Sequence, residues 1–189
     1  MNIPNLLTLL RISLIPILVI VFYMPFHWSY IASAIVFGIA ALTDWLDGFL
    51  ARKLKQVSPL GAFLDPVADK LIVAVALVLL VQTHGTILLA IPSAIIVGRE
   101  IVISALREWM AELGKRKAVQ VNVMGKLKTV GQMVAILILL SQEPKTLSFL
   151  TVLGYILIYG AAALTLWSMM IYLLAARQEF QEQSAPIKP

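Results

Sequence analysis

The chain contains no cysteine. A disulfide, a thiolate zinc site and a cysteine nucleophile are therefore excluded. Charge is scarce as well. Acidic and basic residues make up 13% of the 189 positions, whereas a soluble domain carries about 25%. Histidine occurs only as His27 and His84. Apolar residues fill the space left by charge, at 60% of the chain. That balance points to a protein whose solvent is largely lipid. The length suits one domain. The net charge of +5 would suggest nucleic acid in a soluble chain. Here the basic residues fall in short loops between apolar runs. Lipid headgroups and topology explain them better, and no nucleic-acid partner is expected.

A spanning helix needs about 20 mostly apolar residues. Six runs qualify as candidates: Leu6–Phe26, Trp28–Arg52, Leu60–Thr83, Thr86–Met110, Val123–Ser141 and Leu147–Ala176. They are long and lack the alternation of a membrane barrel, so helices are expected. Lys53 and Lys55 lie in the second loop, and Lys115, Arg116 and Lys117 in the fourth; the odd-numbered loops carry only Lys145. Under the positive-inside rule both termini face the cytoplasm. The expected fold is an all-α integral membrane bundle of six transmembrane helices. Residues 1–177 would form one catalytic domain and 178–189 a polar, frayed tail. A cleaved leader built on Arg11 with a site at Ala32-Ser33-Ala34 is disfavoured, because the chain is already apolar before Arg11.

The informative stretch is Thr43–Lys70, TDWLDGFLARKLKQVSPLGAFLDPVADK. It holds four of the six acidic residues that fall within the expected spans: Asp44, Asp47, Asp65 and Asp69. Asp44, Asp47, Gly48, Ala51 and Arg52 lie on one stripe of one helix, and Gly61, Asp65 and Asp69 on one stripe of the next. A short loop joins the helices, so the stripes can face each other and gather four carboxylates. The small residues would leave an open cleft. Each aspartate costs on the order of 2.5–3.5 kcal/mol at the bilayer centre. Four ionised together also repel one another. Hard divalent cations, Mg²⁺ or Mn²⁺, would neutralise them. Four carboxylates can hold two such ions, an arrangement suited to chemistry at a phosphate. Both pairs lie toward the cytoplasmic ends of their helices.

Blander accounts exist for these residues. Asp65-Pro66 has the form of a helix N-cap followed by proline. The aspartates could be a solvated helix end paired with Arg52, Lys53 and Lys70. A divalent-cation transporter or channel could use the same acids, but it needs a polar path onward through the membrane. Ile31–Ala41 and Val73–Val81 supply none.

Asp44-x-x-Asp47-Gly48-x-x-Ala51-Arg52, then eight residues, then Gly61-x-x-x-Asp65-x-x-x-Asp69 resembles the signature of the CDP-alcohol phosphotransferases. The resemblance implies a homodimeric six-helix membrane enzyme with two divalent metal ions. Asp44, Asp47, Asp65 and Asp69 would ligate metal, and Asp69 would also serve as general base; spacing alone does not separate Asp69 from Asp65. Gly48, Ala51 and Gly61 would admit the cytidine nucleotide, and Arg52 would hold the pyrophosphate.

The flanks are most similar to the branch that joins CDP-diacylglycerol to glycerol 3-phosphate in phospholipid biosynthesis. They are Asn5-Leu-Leu-Thr8-Leu-Leu-Arg11, Gly98-Arg99-Glu100, Leu106-Arg107-Glu108 and Gly125-Lys126-Leu127-Lys128-Thr129. Inositol phosphate and serine are the alternative acceptors. Asn5 and Thr8 are expected to hydrogen-bond the nucleotide or the metal-site carboxylates. Arg107, Lys126 and Lys128 are candidates for the acceptor phosphate; snorkelling anchors are the simpler account of each. Arg99 and Glu100, near mid-span, could pair with other helices or line the cavity.

Overall fold

The computed structural model describes residues 3–54, 59–112, 123–144 and 146–183. Among them are six helices and no strand: α1 Ile3–Phe22, α2 Ser29–Leu54, α3 Pro59–His84, α4 Ile87–Glu112, α5 Val123–Ser141 and α6 Phe149–Gln183. Each apolar run expected to be helical is helical.

Two helix ends depart furthest from expectation, and the N-cap account of Asp65 falls. α1 stops at Phe22 rather than Phe26. Pro25 has no amide hydrogen and disfavours helical geometry at Met24. α3 begins at Pro59, so Pro66 lies inside the helix and Asp65 is no N-cap. α6 continues to Gln183, into the stretch expected to fray. Ala175-Ala176-Arg177-Gln178-Glu179 are good helix formers and extend the final turns.

Two connections show how the helices are stopped and started. Gly85 has a φ of 58°, and its amide bonds the Val81 carbonyl at 3.0 Å. This left-handed residue closes α3 and lets α4 start two residues later. At the start of α6 the Ser148 hydroxyl accepts a bond from the Thr151 amide at 3.0 Å, a serine N-cap.

The principal core runs through all six helices. Leu14 and Leu18 of α1, Phe37 and Ala40 of α2, and Ala76, Leu77 and Leu80 of α3 join Ile96 of α4, Leu139 and Leu140 of α5, and Ile158 of α6. α1 packs on both α2 and α3, and more extensively than those two pack on each other. The exterior is apolar too. Ile87, Val78, Ile101, Trp167 and Met170 are each more than half exposed. A water-soluble domain does not sustain such a surface over its whole length. Among the described residues, three helices are long and apolar enough to cross a membrane, over Asn5–Phe22, Ile87–Glu112 and Phe149–Leu174. Shorter apolar lengths occupy Ser29–Asp44 and Lys128–Ser141. The chain is a membrane protein.

Candidate active site

The acidic stripes of α2 and α3 meet on α1 rather than across an open cleft. Arg11 is 1% exposed. Its Nη1 lies 3.0 Å from Asp44 Oδ1 and also donates to Asp69, while Nη2 donates to Asp47. One turn earlier on the same stripe, the Thr8 hydroxyl donates to Asp65. All four aspartates are thus tied to one face of α1. An arginine buried in an apolar helix needs counter-charge, and a carboxylate cluster needs cations. Each solves the other's problem. Exposure is uneven across the cluster. The Asp47 side chain is 7% exposed, against 45% for Asp44 and 38% for Asp69.

Beside the cluster lies a cavity of about 510 Å³ between α2, α3, α4 and α5. Its polar wall includes Asp44, Asp65, Asp69, Lys70, Glu100, Arg107, Thr129 and Gln132; Leu71, Ile96, Val97 and Met133 are among its apolar lining. The Lys70 ammonium donates to the Ser104 hydroxyl. Glu100 bridges two cations, 2.9 Å from Arg99 Nη1 and 3.2 Å from Lys128 Nζ. Arg99 Nη2 reaches the Ser168 hydroxyl at 3.1 Å. Through these bonds α4, α5 and α6 share one polar junction. A cavity with carboxylates and basic groups on one wall and aliphatic side chains on another suits an amphiphile with a phosphorylated head.

Residues 1–167 match the CDP-alcohol phosphatidyltransferase family. The chain belongs to that family. It is 59% identical to the CDP-diacylglycerol–glycerol-3-phosphate 3-phosphatidyltransferase of Pseudomonas fluorescens over 177 residues, 93% of this chain and 90% of the relative. It is 53% identical to the protein of that name from Salmonella choleraesuis over 182 residues, 96% of this chain and 98% of the relative. The Shigella flexneri serotype 5b protein of that name is 52% identical over the same coverage. A CDP-alcohol phosphatidyltransferase is a transferase, and this chain is one.

The donor set fits the metal ions associated with such transferases. Asp44, Asp47 and Asp69 already share one cation, the Arg11 guanidinium. Carboxylate oxygens are the ligands that Mg²⁺ and Mn²⁺ prefer. Their present spacing serves a guanidinium; among the described residues no three acidic or histidine side chains are arranged around a shared metal position.

Of the residues expected at this transferase site, Asp44, Asp47, Asp65, Asp69 and Thr8 are brought together, with Thr8 on a carboxylate. Gly61 is buried in α3, and Asn5 is half-buried on α1. Gly48, Ala51 and Arg52 lie on α2 and Lys126 on α5; the surroundings of these four lie outside what the structure describes. Arg107 is on the cavity wall, with its guanidinium carbon 5.9 Å from the Tyr172 ring centre. Lys128 is not on that wall: it is 3% exposed and turned onto Glu100 of α4. The sequence reading of the aspartates did not include Arg11, Ser104 or Gln132, and it had Lys70 only as a partner of a solvated helix end. For Arg11 a signal existed. It follows Asn5 and Thr8 at intervals of three, and a lone charge inside an apolar run has to be paired.

Proposed function

We propose that this chain is a multi-pass membrane enzyme that transfers the phosphatidyl group of CDP-diacylglycerol to sn-glycerol 3-phosphate and releases CMP. The observation that carries the reading is the 52–59% identity, over nearly the whole chain, to proteins named for that reaction. The convergence of the four signature aspartates beside one amphiphilic cavity supports it. All six helices cross the bilayer in this reading, with both termini and the cavity on the cytoplasmic side, where nucleotide-activated lipid and acceptor meet. The enzyme works as a homodimer, as the family resemblance implies.

In the reaction the acceptor hydroxyl oxygen attacks the lipid-side phosphorus. The new P–O bond forms as the bond to CMP breaks, and CMP leaves with the bridging oxygen. Asp69 takes the hydroxyl proton. A carboxylate is a weak base toward a free alcohol, but it is effective once the transition state acidifies that proton. Asp69 lines the cavity and is partly exposed, so the acceptor can reach it. Asp44, Asp47 and Asp65 with Asp69 would hold two divalent ions, Mg²⁺ or Mn²⁺, which when bound neutralise the pyrophosphate and the charge growing on the leaving phosphate. Asn5, Gly48, Ala51, Arg52 and Gly61 surround the nucleotide and pyrophosphate, while Thr8 orients Asp65. Arg107 and Lys126 receive the acceptor phosphate, and Lys128 contributes from its bond to Glu100.

The test is CMP release from CDP-diacylglycerol by purified protein, offered glycerol 3-phosphate, serine or inositol phosphate in separate reactions with Mg²⁺ or Mn²⁺. Release with glycerol 3-phosphate is expected. Release with serine alone would overturn the acceptor assignment, and release with none would overturn the enzyme reading.

A further inference from the structure

Each polar side chain on the cavity wall but one is engaged by the protein itself. Asp44 and Asp69 are bonded to Arg11, Asp65 to Thr8, Lys70 to Ser104, and Glu100 to Arg99 and Lys128. Arg107 lies over the Tyr172 ring, and Thr129 has a partner of its own. Gln132 is the exception. It is 4% exposed and lines the cavity, and its carboxamide bonds to no side chain or backbone group among the described residues. A buried carboxamide without a hydrogen bond is costly, and folded proteins keep few of them. One that faces a cavity is matched when a ligand supplies the partner.

The position of Gln132 indicates which part of a ligand that is. On α3 the lining beyond Lys70 is Leu71, Val73 and Ala74. On α4, read back from Glu100, it is Val97 and Ile96. On α5 only Met133 follows Gln132. Polar lining gives way to apolar lining on all three helices, and Gln132 stands at the change on α5. We infer that Gln132 donates a hydrogen bond to an ester carbonyl of the donor lipid and so selects an acyl ester over an ether linkage. The inference rests on the proposed reaction and names the part of CDP-diacylglycerol that this residue meets. In that lipid the ester groups separate the phosphate from the hydrocarbon. With the phosphate beside the aspartates and the chains on the apolar lining, the esters come to Gln132. A carbonyl accepts and does not donate, so it matches the N–H end of the carboxamide. Phosphate is better served by the cations on the same wall, Lys70 and Arg107.

The test compares CDP-diacylglycerol with its diether analogue of equal chain length, each with saturating glycerol 3-phosphate. CMP release is followed for the unsubstituted protein, Gln132→Met and Gln132→Asn. The unsubstituted protein should favour the ester donor in kcat/KM by about tenfold, the worth of one hydrogen bond left unmade in a buried site. Gln132→Met keeps the length of the side chain and removes the donor. Its preference should fall to about twofold or less, through loss on the ester donor alone. Gln132→Asn keeps a carboxamide on a shorter stem and should fall between; it carries the test if Gln132→Met is not recovered folded. Equal use of the two donors by the unsubstituted protein overturns the inference. So does a preference unchanged in the variants, or a loss of the same size on both donors, which would make Gln132 a residue of the bundle. A raised KM for glycerol 3-phosphate with the ester preference intact would assign the carboxamide to the acceptor and overturn it too. No CMP release from either donor by the unsubstituted protein removes the proposed reaction itself.

Discussion

At the scale of single residues, the chemistry is concentrated in a few groups whose neighbours differ. Asp69 and Asp47 are both bonded to Arg11, yet only Asp69 lines the cavity. Replacing Asp69 by Asn keeps the shape and removes the proposed base. Turnover should fall by about 10²–10⁴-fold, the usual contribution of general-base catalysis, while membrane insertion stays normal. Near-normal turnover would transfer the role to another group. Glu100 is a different case. It separates Arg99 of α4 from Lys128 of α5, and its charge keeps the two cations together. In Glu100→Gln the cations repel and Lys128 loses its orientation. The KM for glycerol 3-phosphate should rise about tenfold, equivalent to roughly 1.4 kcal/mol of lost binding, with little change in the KM for CDP-diacylglycerol. Steady-state kinetics varying each substrate in turn separates the two. Equal changes in both constants would mean that Glu100 serves the bundle rather than the acceptor.

At the scale of elements, helix contacts are set by where small residues permit close approach. Gly154 of α6 faces α5 so closely that an added Cβ would lie 2.8 Å from the Leu139 side chain. Gly160, further along the same helix, would meet nothing within 4 Å among the described residues. Gly154→Val should therefore lower stability by about 1–3 kcal/mol through overpacking. Gly160→Ala should be neutral or stabilising by up to about 1 kcal/mol, because it removes glycine's backbone freedom from a helix. Paired unfolding measurements in one detergent test this; equal losses would mean that the α5–α6 seam is not the sensitive contact. The acidic stripes are legible in the amino-acid sequence, since i, i+3, i+4 and i+8 place residues on one helical face wherever the helix lies. Their partner is not. Spacing leads one to expect that the stripes face each other, and α1 lies against both instead.

At the scale of the whole molecule, the apolar exterior and the charge distribution set how the bundle sits in the bilayer. The absence of cysteine makes the proposed orientation easy to check, because a single introduced thiol is the only one present. Arg116→Cys, in the basic stretch of sequence between α4 and α5, should react with a membrane-impermeant maleimide in inside-out vesicles and not in intact cells. Labelling from outside would invert the topology and put the cavity on the wrong side for a nucleotide-activated lipid.

Composition and spacing alone are enough to read the solvent and the helices and to suggest the chemistry: scarcity of charge selects lipid, run length selects helix, and four acids in helical register on adjoining segments point to the proposed cation site. These are local properties, legible from spacing and composition. Only the tertiary structure decided who meets whom. Arg11 meets the aspartates, Thr8 takes Asp65, and Lys128 turns to Glu100. Each pairing joins residues on separate helices, between 28 and 58 positions apart. No periodicity specifies which of several apolar helices will pack side by side. That choice belongs to the shape of the shared core and to the need of every buried charge for a partner.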